Sequence, residues 1–374
     1  LINNELVLAK GNSLDRLILS DDLIVAYTYV GEKTEPDRFP NKGEGYFIKN
    51  VTCNGMAAEW NNSTWSLTFS NVTGKNITCN FDIIDSVLAT DYIMTLAETN
   101  TNELRIDEHE PTGQQTFSTT EYRYFGATPN NYVQFNNELW RIIGVFDVDD
   151  GAGNIEKRLK IIRNESIGNY SWDISTYNDN LGINEWSQSD IKNLLNNNDY
   201  YNCIGNHSSN GLTMESKEMI GNAKWYLGAS TTYSINSDTM YNNERGNLSG
   251  KQCSFNAFCN DNVTRLSSWI GQIGIIYPSD YGYSANMDLC KETNVVLYNS
   301  YCYLTSWILP QWTITSLASA SDGAHGVYNI NGNRVVATAS AANSGNIYPT
   351  VYLLPNIKII DGIGTDTQPY ILSK

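Results

Sequence analysis

Seven cysteines, Cys53, Cys79, Cys203, Cys253, Cys259, Cys290 and Cys302, constrain this chain of 374 residues more than any other feature. None lies in a C-x-x-C pair, so the usual zinc and thiol-redox signatures are missing. Sequence neighbours suggest three local bridges, Cys53–Cys79, Cys253–Cys259 and Cys290–Cys302. Each would close a short loop in an Asn/Gly-rich stretch, where a crosslink narrows the unfolded ensemble. Cys203 is left over, either as a buried thiol or as the sign of a different pairing. Local bridges belong to an oxidising compartment, so an extracellular or cell-surface location is expected.

Composition narrows the partners. Lys+Arg number 24 against 40 Asp+Glu, for a formal net charge of -16. Nucleic-acid affinity rests on cationic contacts to phosphate, so a nucleic-acid partner is excluded, and anionic lipid is disfavoured for the same reason. Charged residues make up only 17%, and polarity comes instead from Asn, Ser, Thr and 24 Tyr. That mixture suits short strands, Asn-rich turns and recognition through aromatic faces. No stretch approaches the roughly 18 apolar residues that a transmembrane helix needs. Leu1-Ile-Asn-Asn is not a natural start, so a leader or anchor is expected to have preceded it.

Along the chain, residues 1–82 predict a small β-sandwich-like domain. Its strands include Leu23-Ile-Val-Ala-Tyr-Thr-Tyr-Val and a segment that puts Trp65, Leu67 and Phe69 on one face. A disulfide beside tryptophans is the economy of an immunoglobulin-like sandwich, although Cys53 and Cys79 are too close for a true immunoglobulin domain. Residues 83–120 predict a helix, with Ile84, Val87, Leu88 and Met94 at helical spacing, followed by a polar linker. From 121 to 374 the pattern is α+β and mostly β. A hairpin turns at Asn136-Asn137, and a strand follows at Arg158-Leu-Lys-Ile-Ile-Arg. A short helix is capped by Ser187 or Ser189, and a second runs from about Thr213 to Tyr226. A loop-rich stretch occupies 228–302, and late strands follow around Asn331-Gly332. Early and late strands are expected to share one sheet.

Chemistry-bearing residues are sparse. The three histidines, His109, His207 and His325, lie in polar or Gly-rich stretches with no nucleophile motif around them. Cys203 and His207 share an Asn-rich turn that is poorly suited to hold a dyad. Asp147-Val-Asp149-Asp150-Gly-Ala-Gly-Asn154 collects hard-cation donors but lacks EF-hand spacing, so a hairpin turn is expected there. Asp280, among tyrosines in Tyr277-Pro-Ser-Asp-Tyr-Gly-Tyr, is read as a turn cap that could also meet a ligand. No metal and no cofactor is expected.

Glu121-Tyr-Arg-Tyr-Phe-Gly-Ala-Thr-Pro-Asn-Asn-Tyr-Val-Gln-Phe-Asn-Asn-Glu-Leu-Trp-Arg-Ile-Ile-Gly-Val-Phe, Trp269-Ile-Gly-Gln-Ile-Gly-Ile-Ile-Tyr-Pro-Ser-Asp-Tyr-Gly-Tyr and Tyr348-Pro-Thr-Val-Tyr-Leu resemble a family of secreted or surface-anchored proteins of gut Firmicutes and their mollicute relatives. The Cys53–Cys79 unit resembles a module found ahead of that domain. The pattern from Trp312-Thr-Ile-Thr to Tyr348-Pro-Thr-Val-Tyr-Leu is similar to domains with the C-type-lectin-like fold. Tyr348 stands where family members carry Arg, and Thr315-Ser316 where they carry Ser-Pro. The Glu-Pro-Asn, Gln-Pro-Asp and Trp-Asn-Asp signatures are missing, so the resemblance does not bring calcium-dependent sugar binding with it.

These readings predict a non-catalytic binding module, an adhesin or lectin-like receptor for a host or bacterial surface glycan or protein. Trp312, Tyr328, Arg334 and Asp280 are the candidate ligand-contacting residues. The alternative is a self-assembling structural subunit of a pilus-like filament, in which a neighbouring chain completes an exposed strand edge.

Overall fold

A computed structural model of the chain describes residues 15–20, 23–31, 46–53, 58–61, 66–69, 76–85, 87–174, 182–246, 252–254, 257–258, 264–290, 306–318, 320, 322–330 and 333–374. The protein is mostly β, with several sheets and short helices, and it divides into two compact units. The first comprises residues 1–88, 358–362 and 371–374; the second comprises 89–357 and 363–370. Among the described residues no helix is long and apolar enough to cross a membrane.

In the first unit, strands Asp15–Ser20, Leu23–Gly31, Asn76–Asp85 and Tyr46–Cys53 form one sheet in that spatial order. The Leu23–Gly31 and Asn76–Asp85 strands run parallel, and the outer pairs are antiparallel. Val, Ile, Thr and Tyr dominate these segments, as side chains that fit a pleated, half-buried surface do. Cys53 and Cys79 sit directly opposite each other on adjacent strands and form a disulfide. The bridge therefore lies within one sheet, whereas an immunoglobulin domain's bridge runs between its two sheets. Trp60, on the hairpin of Ala58–Asn61 and Ser66–Phe69, meets the buried Phe81 edge to face at 5.6 Å. Trp65 lies outside the described residues.

The expected helix over 83–97 starts later. Residues Asn76–Asp85 and Val87–Leu88 are strands, and the helix is Ala89–Thr99, with Ala89, Ile93 and Ala97 on its buried stripe. Ile83, Ile84 and Val87 are β-branched, and the sheet claims them; the apparent helical spacing came from mixing the end of a strand with the start of a helix. The stretch read as a polar linker contains strand Leu104–His109, which pairs along its whole length with Thr119–Tyr124. Leu104 and Asp107 are buried while Ile106 and Glu108 are exposed, so burial along this outer strand does not follow its apolar and charged residues.

The second unit is built on strand Glu138–Asp149. Its centre, Ile142 to Phe146, is buried on both faces. One edge pairs with Ile155–Arg163, which in turn pairs with Thr350–Tyr352, so early and late strands do share a sheet. The other edge changes partner partway, from Tyr132–Phe135 to Thr119–Tyr124, at the level where the pairing with Ile155–Arg163 shifts register, between Ile142 and Gly144. Gly144 permits that handover, because a Cβ there would lie 2.2 Å from the Tyr122 carbonyl oxygen. The Asn136-Asn137 turn has both residues at positive φ, 56° and 60°, as a two-residue hairpin requires.

Ser189, not Ser187, caps helix Asp190–Asn196: its Oγ accepts from the Lys192 N–H at 3.2 Å. The expected helix over 213–226 ends early. Only Met214–Met219 is helical, and Ala223–Tyr226 pairs as a strand with Ser268–Gly271. The chain leaves the helix at Ile220, whose ψ of 127° is extended, and a side chain at the following Gly221 would strike the Arg158 guanidinium. Within the stretch read as loops, Ser237–Glu244, Pro278–Tyr283 and Met287–Cys290 are helices. Strands Gln311–Ser316, Gly323–Ile330 and Asn333–Ser340 form a separate antiparallel sheet. Ile330 pairs with Asn333 across the predicted hairpin; its turn, Asn331-Gly332, lies outside the described residues.

Candidate functional site

Elements distant in sequence bring a charged cluster into the interior of the second unit. Glu121 and Arg123 are two apart on one strand and so share its inner face. Lys160 comes from strand Ile155–Arg163, and Asp280 from the first turn of helix Pro278–Tyr283. Helix Ser237–Glu244 supplies Tyr241 and Glu244, and Arg245 follows at its end. Lys160 Nζ donates to Asp280 Oδ2 at 2.5 Å, and Arg123 Nη1 donates to Asp280 Oδ1 at 2.9 Å. Asp280 Oδ2 also accepts from the Tyr277 N–H at 2.9 Å, which caps its own helix. Arg123 Nε donates to Glu121 Oε2 at 2.8 Å, and Arg245 Nε donates to Gln115 Oε1 at 2.8 Å. Glu244 accepts from the Ser279 N–H at 2.8 Å.

Burial raises the pKa of Asp280, but the Lys160 ammonium and the Arg123 guanidinium outweigh it and hold the carboxyl below its ordinary value. Lys160 is lowered: burial dominates, and Asp280 restores only part. Burial pushes Glu244 up to about 7 against the pull of Arg245. Four rings surround the Lys160 ammonium, with centroids at 4.7 Å (Tyr277), 5.4 Å (Phe146 and Tyr352) and 5.7 Å (Trp225). Removing one member of such a buried pair leaves an uncompensated charge, at a cost of roughly 3–5 kcal/mol. Asp280 therefore belongs to the interior rather than to an outward surface.

Trp312 and Tyr328 are brought together, ring to ring at 5.9 Å and nearly perpendicular. Trp312 is buried, and its Nε1 donates to the Tyr170 carbonyl at 3.2 Å. The Tyr328 hydroxyl is buried without a hydrogen-bond partner among the described residues. Arg334 lies on strand Asn333–Ser340, opposite Asn329; its side chain is outside the described residues. Trp312 and Tyr328 thus pack together near the turn end of the hairpin that carries Arg334, and Asp280 lies in the charged cluster.

The other residues singled out in the sequence have structural partners. His207 is held between the Tyr170 hydroxyl at 2.8 Å and Asn210 Oδ1 at 3.0 Å. Cys203 is free, takes a left-handed φ of 55°, and its Sγ reaches the Ser208 carbonyl. Asp150 accepts from the N–H groups of Ala152 and Asn154, so the 147–154 stretch is a self-capped turn between two strands. His325 is a core residue of strand Gly323–Ile330, not a loop residue, with Nε2 at 3.2 Å from the Ser230 carbonyl. Cys290 is disulfide-bonded, but its partner's side chain is not among those described. The Cys253–Cys259 and Cys290–Cys302 pairings likewise fall outside the described side chains.

One outward feature has room for a ligand. A half-open cleft of about 290 Å³ lies between helix Ala89–Thr99, strand Leu104–His109 and the start of helix Met287–Cys290. Thr101, Arg105, Asn286 and Asp288 give it polar lining; Ile106 and Phe125 give it apolar lining. Ile106, on the cleft wall, is 46% exposed. Arg105 is oriented by Asp107 and lies over the Tyr283 ring at 5.7 Å. Little in the sequence signals this cleft: Arg105 and Ile106 sit in the stretch read as a linker. Only the exposed aliphatic in a charged run, Leu104-Arg-Ile-Asp-Glu, marks them.

Comparison with family models finds no match, and comparisons with curated proteins and with solved structures find none. The functional reading therefore rests on the chain's own residues.

Proposed function

We propose that the protein is a non-catalytic binding module of the cell surface that meets a surface glycan or protein at the 89–106/286–288 cleft. The cleft carries this reading. Its volume of about 290 Å³ is at the low end of small-ligand sites, which run from roughly 300 Å³ upward. Such a cleft accepts one protruding unit, a single sugar or side chain, rather than an enclosed cofactor. One wall, Asn286 to Asp288, comes from the aromatic-rich stretch that the sequence marks for recognition. The Cys53–Cys79 disulfide supports an oxidising, extracellular location. For the finer architecture we read the second unit as C-type-lectin-like, supported by its shared early and late strands, and the first as a small immunoglobulin-like module, supported by the packing of Trp60 on Phe81, while its bridge within one sheet departs from the immunoglobulin pattern.

An array of host and bacterial surface glycans and extracellular-matrix proteins tests the proposal: saturable capture of the native chain is expected, and signal no higher than a denatured control on every spot would overturn it. A filament subunit is the second reading. Strand Asn333–Ser340 favours it, because this strand ends its sheet and has no further strand partner among the described residues. Electron microscopy of the native cell surface showing ordered filaments of this chain would favour that reading over isolated receptors.

A further inference from the structure

Lys160 and Asp280 form an unusual pair. They stand 120 residues apart in sequence, on a central strand and a short helix, and both side chains are 1% exposed. The amine nitrogen contacts Oδ2, an atom bonded to the carboxyl carbon. Tyr277, Phe146, Tyr352 and Trp225 ring the amine and keep water from it. Arg123 Nη1 lies 2.9 Å from the other carboxyl oxygen, Oδ1.

We propose that Lys160 Nζ and Asp280 Cγ condense spontaneously to an intramolecular amide, a covalent crosslink that ties the sheet to helix Pro278–Tyr283. The short Nζ–Oδ2 contact lets the ammonium pass a proton to Oδ2, which gives a neutral amine and a neutral carboxylic acid. Burial, which lowers the lysine pKa, favours this transfer, while the charges of Lys160 and Arg123, which lower the Asp280 pKa, oppose it, so the neutral pair is the minor form through which the reaction passes. The amine lone pair then attacks Cγ, and the C–N bond forms. Negative charge develops on Oδ1, where the Arg123 guanidinium already sits as a fixed counter-charge. Oδ2 leaves as water with two of the three ammonium protons. The third stays on the amide nitrogen, and Oδ1 becomes the amide carbonyl under Arg123. Atoms and charge balance: one ammonium and one carboxylate give one amide and one water, with no oxidant and no added reagent. The pairing needs the folded core, because only the fold brings the two residues together, and the dry aromatic ring resists the reverse hydrolysis.

The test is the intact mass of the full natively folded chain, reduced and then denatured, with sequencing of its proteolytic peptides. A mass short of the sequence value by one water, together with a joined peptide pair linked through Lys160 and Asp280, is expected. Lys160→Ala and Asp280→Ala should return to the full sequence mass, and Asp280→Asn should lose one ammonia in place of one water. A wild-type chain at full mass overturns the proposal whether or not the variants fold. So does a water loss that maps to any other residues.

Discussion

At the residue scale, His325 shows how burial sets a titration. Its Nε2 faces the Ser230 carbonyl and so carries the proton, which leaves Nδ1 buried with no partner. A second proton would place a cation in the core, and burial lowers the pKa to about 4 from an ordinary 6.5. The unfolded chain takes up that proton at the ordinary value, so the contribution to stability is complete above pH 6.5 and is lost as pH falls toward 4. Over that window the loss amounts to about 3 kcal/mol. Urea titrations from pH 7.5 to 4 should show it in the wild type, and a markedly shallower slope in His325→Asn; equal slopes would place the cause elsewhere. The sequence hid this residue. Asp322-Gly-Ala-His-Gly reads as a loop because glycines flank the histidine, yet both glycines lie in or beside a strand that runs to Ile330. Asp280 was read as a turn cap, and it caps the first turn of helix Pro278–Tyr283, a helix that the reading of 228–302 as loops did not place. The partners of Asp280, Lys160 and Arg123, were not legible, because pairing over more than a hundred residues leaves no local pattern.

At the element scale, the hairpin at Asn136-Asn137 was the most legible feature, since few residues tolerate two consecutive positive φ angles. The two asparagines differ in what else they do. Asn136 Nδ2 donates to the Gly211 carbonyl at 3.1 Å, and its Oδ1 accepts from the Thr213 N–H at 2.8 Å. Thermal unfolding should therefore separate them: Asn136→Gly is expected to cost about 1–2 kcal/mol, while Asn137→Gly should be neutral or slightly stabilising. Similar losses in both would mean that the side-chain bonds contribute nothing. Gly144 predicts more sharply, because its missing Cβ makes room for the Tyr122 carbonyl. Gly144→Ala should lose about 1–3 kcal/mol, and a stability equal to wild type would refute the close strand approach. In the smaller unit, Cys53→Ser with Cys79→Ser removes a link between residues 26 apart. Amide exchange in strands 46–53 and 76–85 should accelerate as if about 3 kcal/mol had been lost. Helix ends were less legible than turns. The segments 83–85, 87–88 and 223–226 show helical spacing yet form strands, because β-branched and aromatic side chains paired into sheets once neighbouring strands were present.

At the scale of the whole molecule, a mostly β chain rich in Asn and Tyr was foreseeable from composition and turn residues, whereas the cleft was not. Its lining comes from residues 97–106, 125 and 286–288, which no window of sequence contains together. The same holds for the charged interior, where each residue alone resembles an ordinary surface charge. Binding at the cleft would make function depend on a few exposed atoms there. The most direct measurement applies the glycan and protein array to wild type and Ile106→Glu side by side. Ile106 is exposed on an outer strand, so the variant should keep its thermal midpoint, and any spot that captures the wild type should lose at least tenfold in signal. Undiminished capture by a folded Ile106→Glu chain would contradict the account and move the binding surface away from the cleft.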